Sequence, residues 1–314
     1  MRREWLDVGL AARLAQGVFK LAHLSDPHLG PLAGFSLHQL FGKRATGYVN
    51  WRRKRRHAHD MDILALIVAD IRAQQPDHVA CTGDVSHIGL PNEFKTAAAF
   101  LDELGPREAV SFVPGNHDAY ARSSLKALAY HLGEWITGDD GRTGYPWYRR
   151  RGPVALIGLN TGVPTLPLMA TGKVGRDQIA KAEILLDRAR DEGLIRVVLI
   201  HHPPYVGGAR RSRELVDAAA FEAMLARKGA DLVIHGHNHR FSLAWRPGQG
   251  RDVPIVGVPS ASIGPLGHGE LASWHLFKIE GDAKTPHITF EQRGFELDGT
   301  VMLHQEIALH TKPV

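Results

Sequence analysis

Residues 18–28 read VFKLAHLSDPH, a short apolar strand that runs straight into an acid and an imidazole. Residues 78–84, HVACTGD, repeat the scheme and end on Gly83-Asp84. Working outward, apolar runs at 109–113, 154–159, 196–200 and 231–234 continue the series. Three of these lead into Gly115-Asn116-His117-Asp118, His201-His202-Pro203 and Gly236-His237-Asn238-His239. Segments of helical period lie between, at 57–74 (Met61, Leu64, Ile67, Val68 and Ile71 on one face), 92–104, 176–192 and 213–227. Alternating strands and helices imply crossover connections and a largely parallel sheet. From Phe241 the pattern changes to short alternating stretches at 241–245, 254–258, 274–279, 287–292 and 301–307, so the last third reads as mostly β. A second sheet packed on the first, with helices outside, buries all the apolar faces. The expected class is α/β: a four-layer αββα sandwich of two mixed sheets flanked by helices.

The 314 residues, 44% hydrophobic and 23% charged, suit one domain with its own core and exclude disorder as the main state. A single domain over 18–310 is expected, preceded by an extension over 1–17. No apolar run approaches the roughly 20 residues of a membrane span. Glu4, Asp7 and Arg13 interrupt any signal core at the N-terminus. One cysteine, Cys81, cannot form an internal disulfide, and a reducing, cytoplasmic home is expected.

In open α/β sheets ligands bind beyond the carboxyl ends of the strands, and there this chain places two carboxylates (Asp26, Asp84), an amide (Asn116) and four imidazoles (His28, His201, His237, His239). Any one of these clusters alone reads as an ordinary turn. Together they form a mixed N/O set without thiolate, which suits Mn, Fe, Zn or Co. Seven ligands exceed what one ion takes; two ions sharing one carboxylate use them all.

The ordered set Asp26-x-His28, Gly83-Asp84, Gly115-Asn116-His117-Asp118, His201 and Gly236-His237-x-His239 resembles the calcineurin-like metallophosphoesterase superfamily. Within it the chain looks most like the bacterial class III cyclic nucleotide phosphodiesterases and glycerophosphodiesterases. The resemblance implies that Asp26, His28 and His239 hold one ion and Asn116, His201 and His237 the other, with Asp84 bridging. It implies hydrolysis of phosphodiesters by in-line attack of a metal-bridging hydroxide. His117 would face the substrate with Asp118 orienting it, and of the His-His pair His201 is the ligand and His202 an outer neighbour on the substrate side. A non-catalytic scaffold of this fold would have lost ligands, and none is lost. A nuclease usually adds a cap domain, for which the 75 residues after His239 leave little room.

The stretch 30–56 is too long for a plain strand-to-helix connection. It carries seven basic residues (Lys43, Arg44, Arg52, Arg53, Lys54, Arg55, Arg56), no acid, and Leu32, Phe35, Leu40, Phe41, Tyr48 and Trp51. With a net charge of +5, the rest of the chain sums to −2 and the basicity is local. Nucleic acid is therefore not the expected partner. Three readings compete: a cap whose arginines, Arg52 and Arg55 foremost, bind a second phosphate or a nucleotide; a surface that docks on anionic lipid; or the solvated start of the next helix. A cationic, aromatic cap is what a lipid-linked pyrophosphate needs, and since the superfamily it resembles includes the UDP-2,3-diacylglucosamine hydrolases, the resemblance implies that as the second substrate class. Arg149 to Arg151 and Arg210, Arg211 and Arg213 read as exposed arginines, and the Ser/Gly-rich loop 259–269 as either pocket wall or plain connection.

Overall fold

The computed structural model describes residues 17–32 and 34–309, so all but Gly17 of the expected extension lies outside the described residues. The first sheet starts from β1 (Val18–Leu24). Two helices, α1 (Lys43–Asn50) and α2 (Met61–Ala73), lead to β2 (His78–Cys81), then α3 (Pro91–Leu104) to β3 (Val110–Phe112). After α4 (Arg122–Leu132) the chain builds a second sheet from β4 (Trp147–Arg151), β5 (Val154–Gly158), α5 (Arg176–Asp191), β6 (Ile195–Leu199), α6 (Ala218–Lys228), β7 (Leu232–His235), β8 (Ser242–Arg246) and β9 (Val253–Gly257). It then returns to the first sheet with β10 (Ser273–Glu280), β11 (His287–Phe295) and β12 (Val301–Leu309).

The sheet orders are β12-β11-β10-β1-β2-β3 and β4-β5-β6-β7-β9-β8. Strands β1 to β3 and β5, β6, β7 and β9 run parallel, with antiparallel strands added at the edges, so both sheets are mixed. The C-terminal strands thus divide between the two sheets instead of forming one of their own. Between the sheets Phe277 and Phe290 meet Phe241, with Phe290 ring centroids 5.2 Å from Phe277 and 5.9 Å from Phe241. Outside, α2 and α3 cover the first sheet with Ile63, Ile67, Ile71, Phe94 and Leu101, while Ile179, Leu186 and Phe221 of α5 and α6 cover Ile157, Val198 and Val233 of the second. The result is the four-layer sandwich. Among the described residues no helix is long and apolar enough to cross a membrane.

Several boundaries move for local reasons. Helix α2 begins at Met61, not at residue 57, because Asp60 caps it, accepting from Asp62 N at 2.9 Å and Ile63 N at 3.3 Å. Helix α6 begins at Ala218, not at 213, because the Asp217 carboxylate is taken by the backbone N–H groups of Val174 and Gly175. Helix α4 and strand β4 are absent from the sequence reading.

Strand β4 also corrects the expectation of exposed arginine for Arg149, which is buried. Its guanidinium donates to the carbonyls of Val110 (2.7 Å), Glu134 (2.8 Å) and Thr137 (2.9 Å). Trp147 Nε1 reaches the Phe112 carbonyl at 3.3 Å, so β4 of one sheet is sewn to β3 of the other. Gly158 sits opposite Trp147 in the ladder, where a Cβ would strike the indole ring. Arg149→Met strands those carbonyls and is expected to lower stability by about 2–4 kcal/mol in urea unfolding, whereas the exposed Arg150→Met changes it by less than about 0.5 kcal/mol.

Candidate metal centre

The loops after β1, β2 and β3 bring in Asp26, His28, Asp84, Asn116 and His117; those after β6 and β7 bring in His201, His237 and His239. The site therefore straddles the seam between the sheets. The loops after β1 and β2 keep their pairing past the strand ends, with Asp26 N to the Gly83 carbonyl at 2.9 Å and His28 N to the Asp84 carbonyl at 3.1 Å. Across the seam His237 N donates to Asp26 Oδ2 at 2.9 Å and His201 Nδ1 to the Thr82 carbonyl at 2.6 Å. Ser260 of the 259–269 loop donates to the Asp26 carbonyl, and Ser262 bonds His59, so that loop braces two residues of the site.

The donor atoms converge in overlapping groups. Asp26, His28 and His239 form one, Asp26, Asp84 and His201 another, with donor atoms within 4.8 Å of one another in each. Asp84 Oδ2 lies between the halves, 3.9 Å from His28 Nε2 and 3.4 Å from His201 Nε2. His239 Nε2 is 3.1 Å from Asp26 Oδ1.

Three observations test whether these residues fit metal ions. First, hydrogen bonds to carbonyls fix the tautomers. His28 donates Nδ1–H to the Ser86 carbonyl, His201 Nδ1–H to Thr82 and His237 Nε2–H to the Arg213 carbonyl. The lone pairs then left on His201 Nε2 and His237 Nδ1 face each other at 3.3 Å, an arrangement that calls for a cation between them. Second, His28 Nε2 and Asn116 Oδ1 are buried acceptors with no hydrogen-bond partner among the described residues. Third, Asp26, His28, Asp84, His237 and His239 all sit at positive φ, between 41° and 71°. Such left-handed backbone is uncommon outside glycine and clusters at functional sites. The residues fit.

Electrostatics keep His28, His237 and Asp26 in their ligating forms, while on His201 an ion would take the place of a proton. Burial holds His28, His117, His202 and His237 well below the usual imidazole range, so they stay neutral. Burial also acts against ionised Asp26, but the neighbouring His239 and His201 outweigh it and hold that carboxyl below its ordinary range. For His201 burial disfavours the charged ring, yet Asp84 and Asp26 beside it raise it to about 9, a measure of the negative potential at the centre.

Three expected site residues stand elsewhere. Asp118 does not touch the His117 ring: its oxygens accept from Asp84 N, Gly115 N, Ser86 N and Ser86 Oγ, so it positions loops. Burial, with Asp84 adding, pushes it up to about 7, and those donors pull the other way. His202 has both nitrogens engaged, Nδ1 by the Thr161 hydroxyl and Nε2 by the Ala170 carbonyl, which leaves none for substrate. Arg52 is exposed in an outer groove with Tyr48, Arg53 and Arg56.

Arg55 is different. It lies 2.7 Å from His117 Nε2 while His117 Nδ1 donates to the His87 carbonyl, so Nε2 is an acceptor and Arg55 the donor. The insert is therefore neither a helix start nor free in solvent there. Arg44 fastens it, donating to the carbonyls of Ile88 and Gly89 and to Ser124. Sequence reasoning missed Lys43, His59, His87 and Arg213 near the centre. His59 and His87 lie with ring centroids 4.5 and 5.4 Å from that of His28, and nothing in their spacing announces it.

The family model for calcineurin-like phosphoesterases matches residues 19–241, and the chain belongs to that family. It is accordingly a metallophosphoesterase, a hydrolase of phosphoric esters. A Synechococcus protein described as a probable cyclic nucleotide phosphodiesterase is 26% identical over 223 residues, 69% of this chain and 78% of that one. A dimetal phosphatase from Danio rerio shares the fold at TM-score 0.59 and 14% identity, over 91% of this chain and 98% of that one. So does a purple acid phosphatase from yellow lupin seeds, at TM-score 0.53 and 12% identity, over 93% of this chain and 53% of that one.

Gly115 is a tight backbone point of the centre, since a Cβ there would run into the Asp84 carboxylate and the His201 ring. Gly115→Ala is expected to retain less than about half the wild-type metal after dialysis against Mn2+, read by elemental analysis. Gly133→Ala, whose Cβ meets only Thr143 at 3.9 Å, keeps its metal.

Proposed function

We propose that this chain is a dinuclear-metal-dependent phosphodiesterase in which Asp26, His28 and His239 hold one ion and Asn116, His201 and His237 the other, with Asp84 shared. When bound, such a pair of ions supplies Lewis acidity toward phosphoryl oxygens and lowers the pKa of water. The mixed N/O donor set favours Mn, Fe, Zn or Co over Mg.

The observation that carries the diester reading is a pair of cavities separated by Arg55. One, of about 360 Å3, opens over Asn116 and His117; the other, of about 420 Å3, opens beside His28, His59, His87 and Trp51. A phosphorus seated between them has room for a substituent on each side, which a monoester does not need. The Synechococcus relative supports the same bond type.

Arg55 then offers its N–H donors to the oxygens that gain charge in the transition state. His117 holds its own proton on Nδ1, toward the His87 carbonyl, and aims Arg55 through Nε2. Asp118 keeps the Asp84 and Gly115 backbones in place beneath.

The test is hydrolysis of bis(p-nitrophenyl) phosphate against p-nitrophenyl phosphate by chelator-stripped protein refilled with Mn, Fe, Zn or Co. The diester is expected to turn over faster by about tenfold or more, with no turnover before refilling. A faster monoester overturns the reading. Asp84→Ala is expected to lose both hydrolysis and bound metal; full turnover with wild-type metal content in that variant sinks the shared-ligand assignment. Arg55→Met is expected to keep its metal and lose roughly 10²-fold in kcat.

A further inference from the structure

Lys43, Arg55 and Arg213 line the cavity over Asn116 and His117, and no acidic residue stands in its wall. None of the three has a carboxylate partner among the described residues. Lys43 Nζ meets only neutral groups, the Thr165 hydroxyl at 2.6 Å and the Met169 carbonyl at 3.1 Å, and lies 4.6 Å from the Tyr120 ring centroid. Arg213 reaches the His237 carbonyl at 3.4 Å. Burial pushes the Lys43 ammonium down to about 8, with Asp84 opposing and Arg55 adding. A half-buried cation held without a counter-charge is costly unless a ligand supplies one.

Charge decides what that ligand carries. A phosphodiester brings one negative charge at neutral pH, and the metal centre with Arg55 already meets it. Lys43 and Arg213 remain. Thr46, Asn50 and Ser212 add hydroxyl and amide groups to the same wall, the usual companions of phosphate oxygens.

Resting on the phosphodiesterase reading, we infer that Lys43 and Arg213 form a subsite for a second phosphoryl group joined to the phosphorus at the metal centre, so that the substrate is a diphosphate diester. In the reaction the oxygen of water bonds to the phosphorus beside Asn116, and the bond from that phosphorus to the bridging oxygen breaks. The bridging oxygen leaves with the electron pair on the second phosphoryl group. Both products are phosphate monoesters, and the two protons of the water pass to them and to solvent. Lys43 and Arg213 stabilise the charge that gathers on the departing monoester.

The experiment has two arms. In the first, kcat/KM for UDP-glucose is compared with that for thymidine 5′-(p-nitrophenyl phosphate), which also carries a nucleoside but a single phosphorus. Lys43→Met and Arg213→Met are each expected to cut the ratio by about tenfold, as loss of a charge-assisted contact does, and Lys43→Arg to restore most of it. In the second, calorimetry on the metal-loaded protein compares methylenediphosphonate with methylphosphonate. Wild type is expected to hold the diphosphonate about tenfold tighter or more, and the two methionine variants to lose most of that advantage.

An unchanged ratio in both variants, with the thymidine ester still hydrolysed, overturns the subsite and leaves the phosphodiesterase intact. No hydrolysis of the thymidine ester with any metal overturns the phosphodiesterase. The binding arm then decides the subsite, as it does if UDP-glucose carries the wrong substituents. A diphosphonate advantage equal in wild type and variants overturns it.

Discussion

The Asp118 carboxylate holds the centre together. Its Oδ2 accepts from Asp84 N at 2.7 Å and Gly115 N at 2.9 Å, and its Oδ1 from Ser86 N at 3.0 Å and Ser86 Oγ at 2.9 Å. One buried carboxyl group thus gathers the ends of β2 and β3. His117 N returns a hydrogen bond to Asp84 Oδ1 at 2.7 Å, which fixes the direction in which the Asp84 carboxylate points. Hydrogen bonds to a charged acceptor are the stronger kind, and breaking such a set in the interior leaves several groups unsatisfied at once.

The same dependence runs across the sandwich. Four of the seven candidate ligands come from the first sheet and three from the second, so the spacing of donor atoms is set by how the sheets pack. Backbone and side chain cross the seam at Asp26, Thr82 and Ser260, and Trp147 and Arg149 pin the sheets together at the β3–β4 edge. Packed interiors transmit small volume changes. A core substitution far from His201 therefore reaches the centre through the seam.

The fold and the meeting of the candidate ligands in one place were legible because each rests on a local rule. A strand followed at once by Asp, His or Asn needs no tertiary knowledge to be seen, and five such endings on one largely parallel sheet pattern point to one place. What stayed hidden depends on contacts between distant residues. Helix α4 buries only Ser124, Leu128 and Leu132, too sparse a stripe to stand out. Strand β4 reads WYRRR, and the inward turn of Arg149 follows from carbonyls on β3 and on the chain just before β4. Arg52 and Arg55 would share a face of an α-helix. Residues Trp51–Arg55 form a π-helical turn instead, whose wider i to i+5 bonding takes Arg55 inward and leaves Arg52 outside. From their neighbours in sequence Asp118 is expected to orient His117 and His202 to lie on the substrate side, whereas their hydrogen bonds turn them toward the supporting loops.

Among the described residues of the insert, the backbone hydrogen bonds of 34–56 outside its own helices stay within it or run on to His59; side chains attach it to the body. Arg44 and Lys43 are the fasteners, one to the loop after β2, the other to the loop after β5. A segment held this way can be lengthened, shortened or rewritten without breaking a sheet ladder or moving a ligand. Provided a donor is kept where Arg55 stands, selection can retune which molecules enter while the candidate metal ligands are inherited unaltered, and a designer can swap the segment between relatives as a cassette.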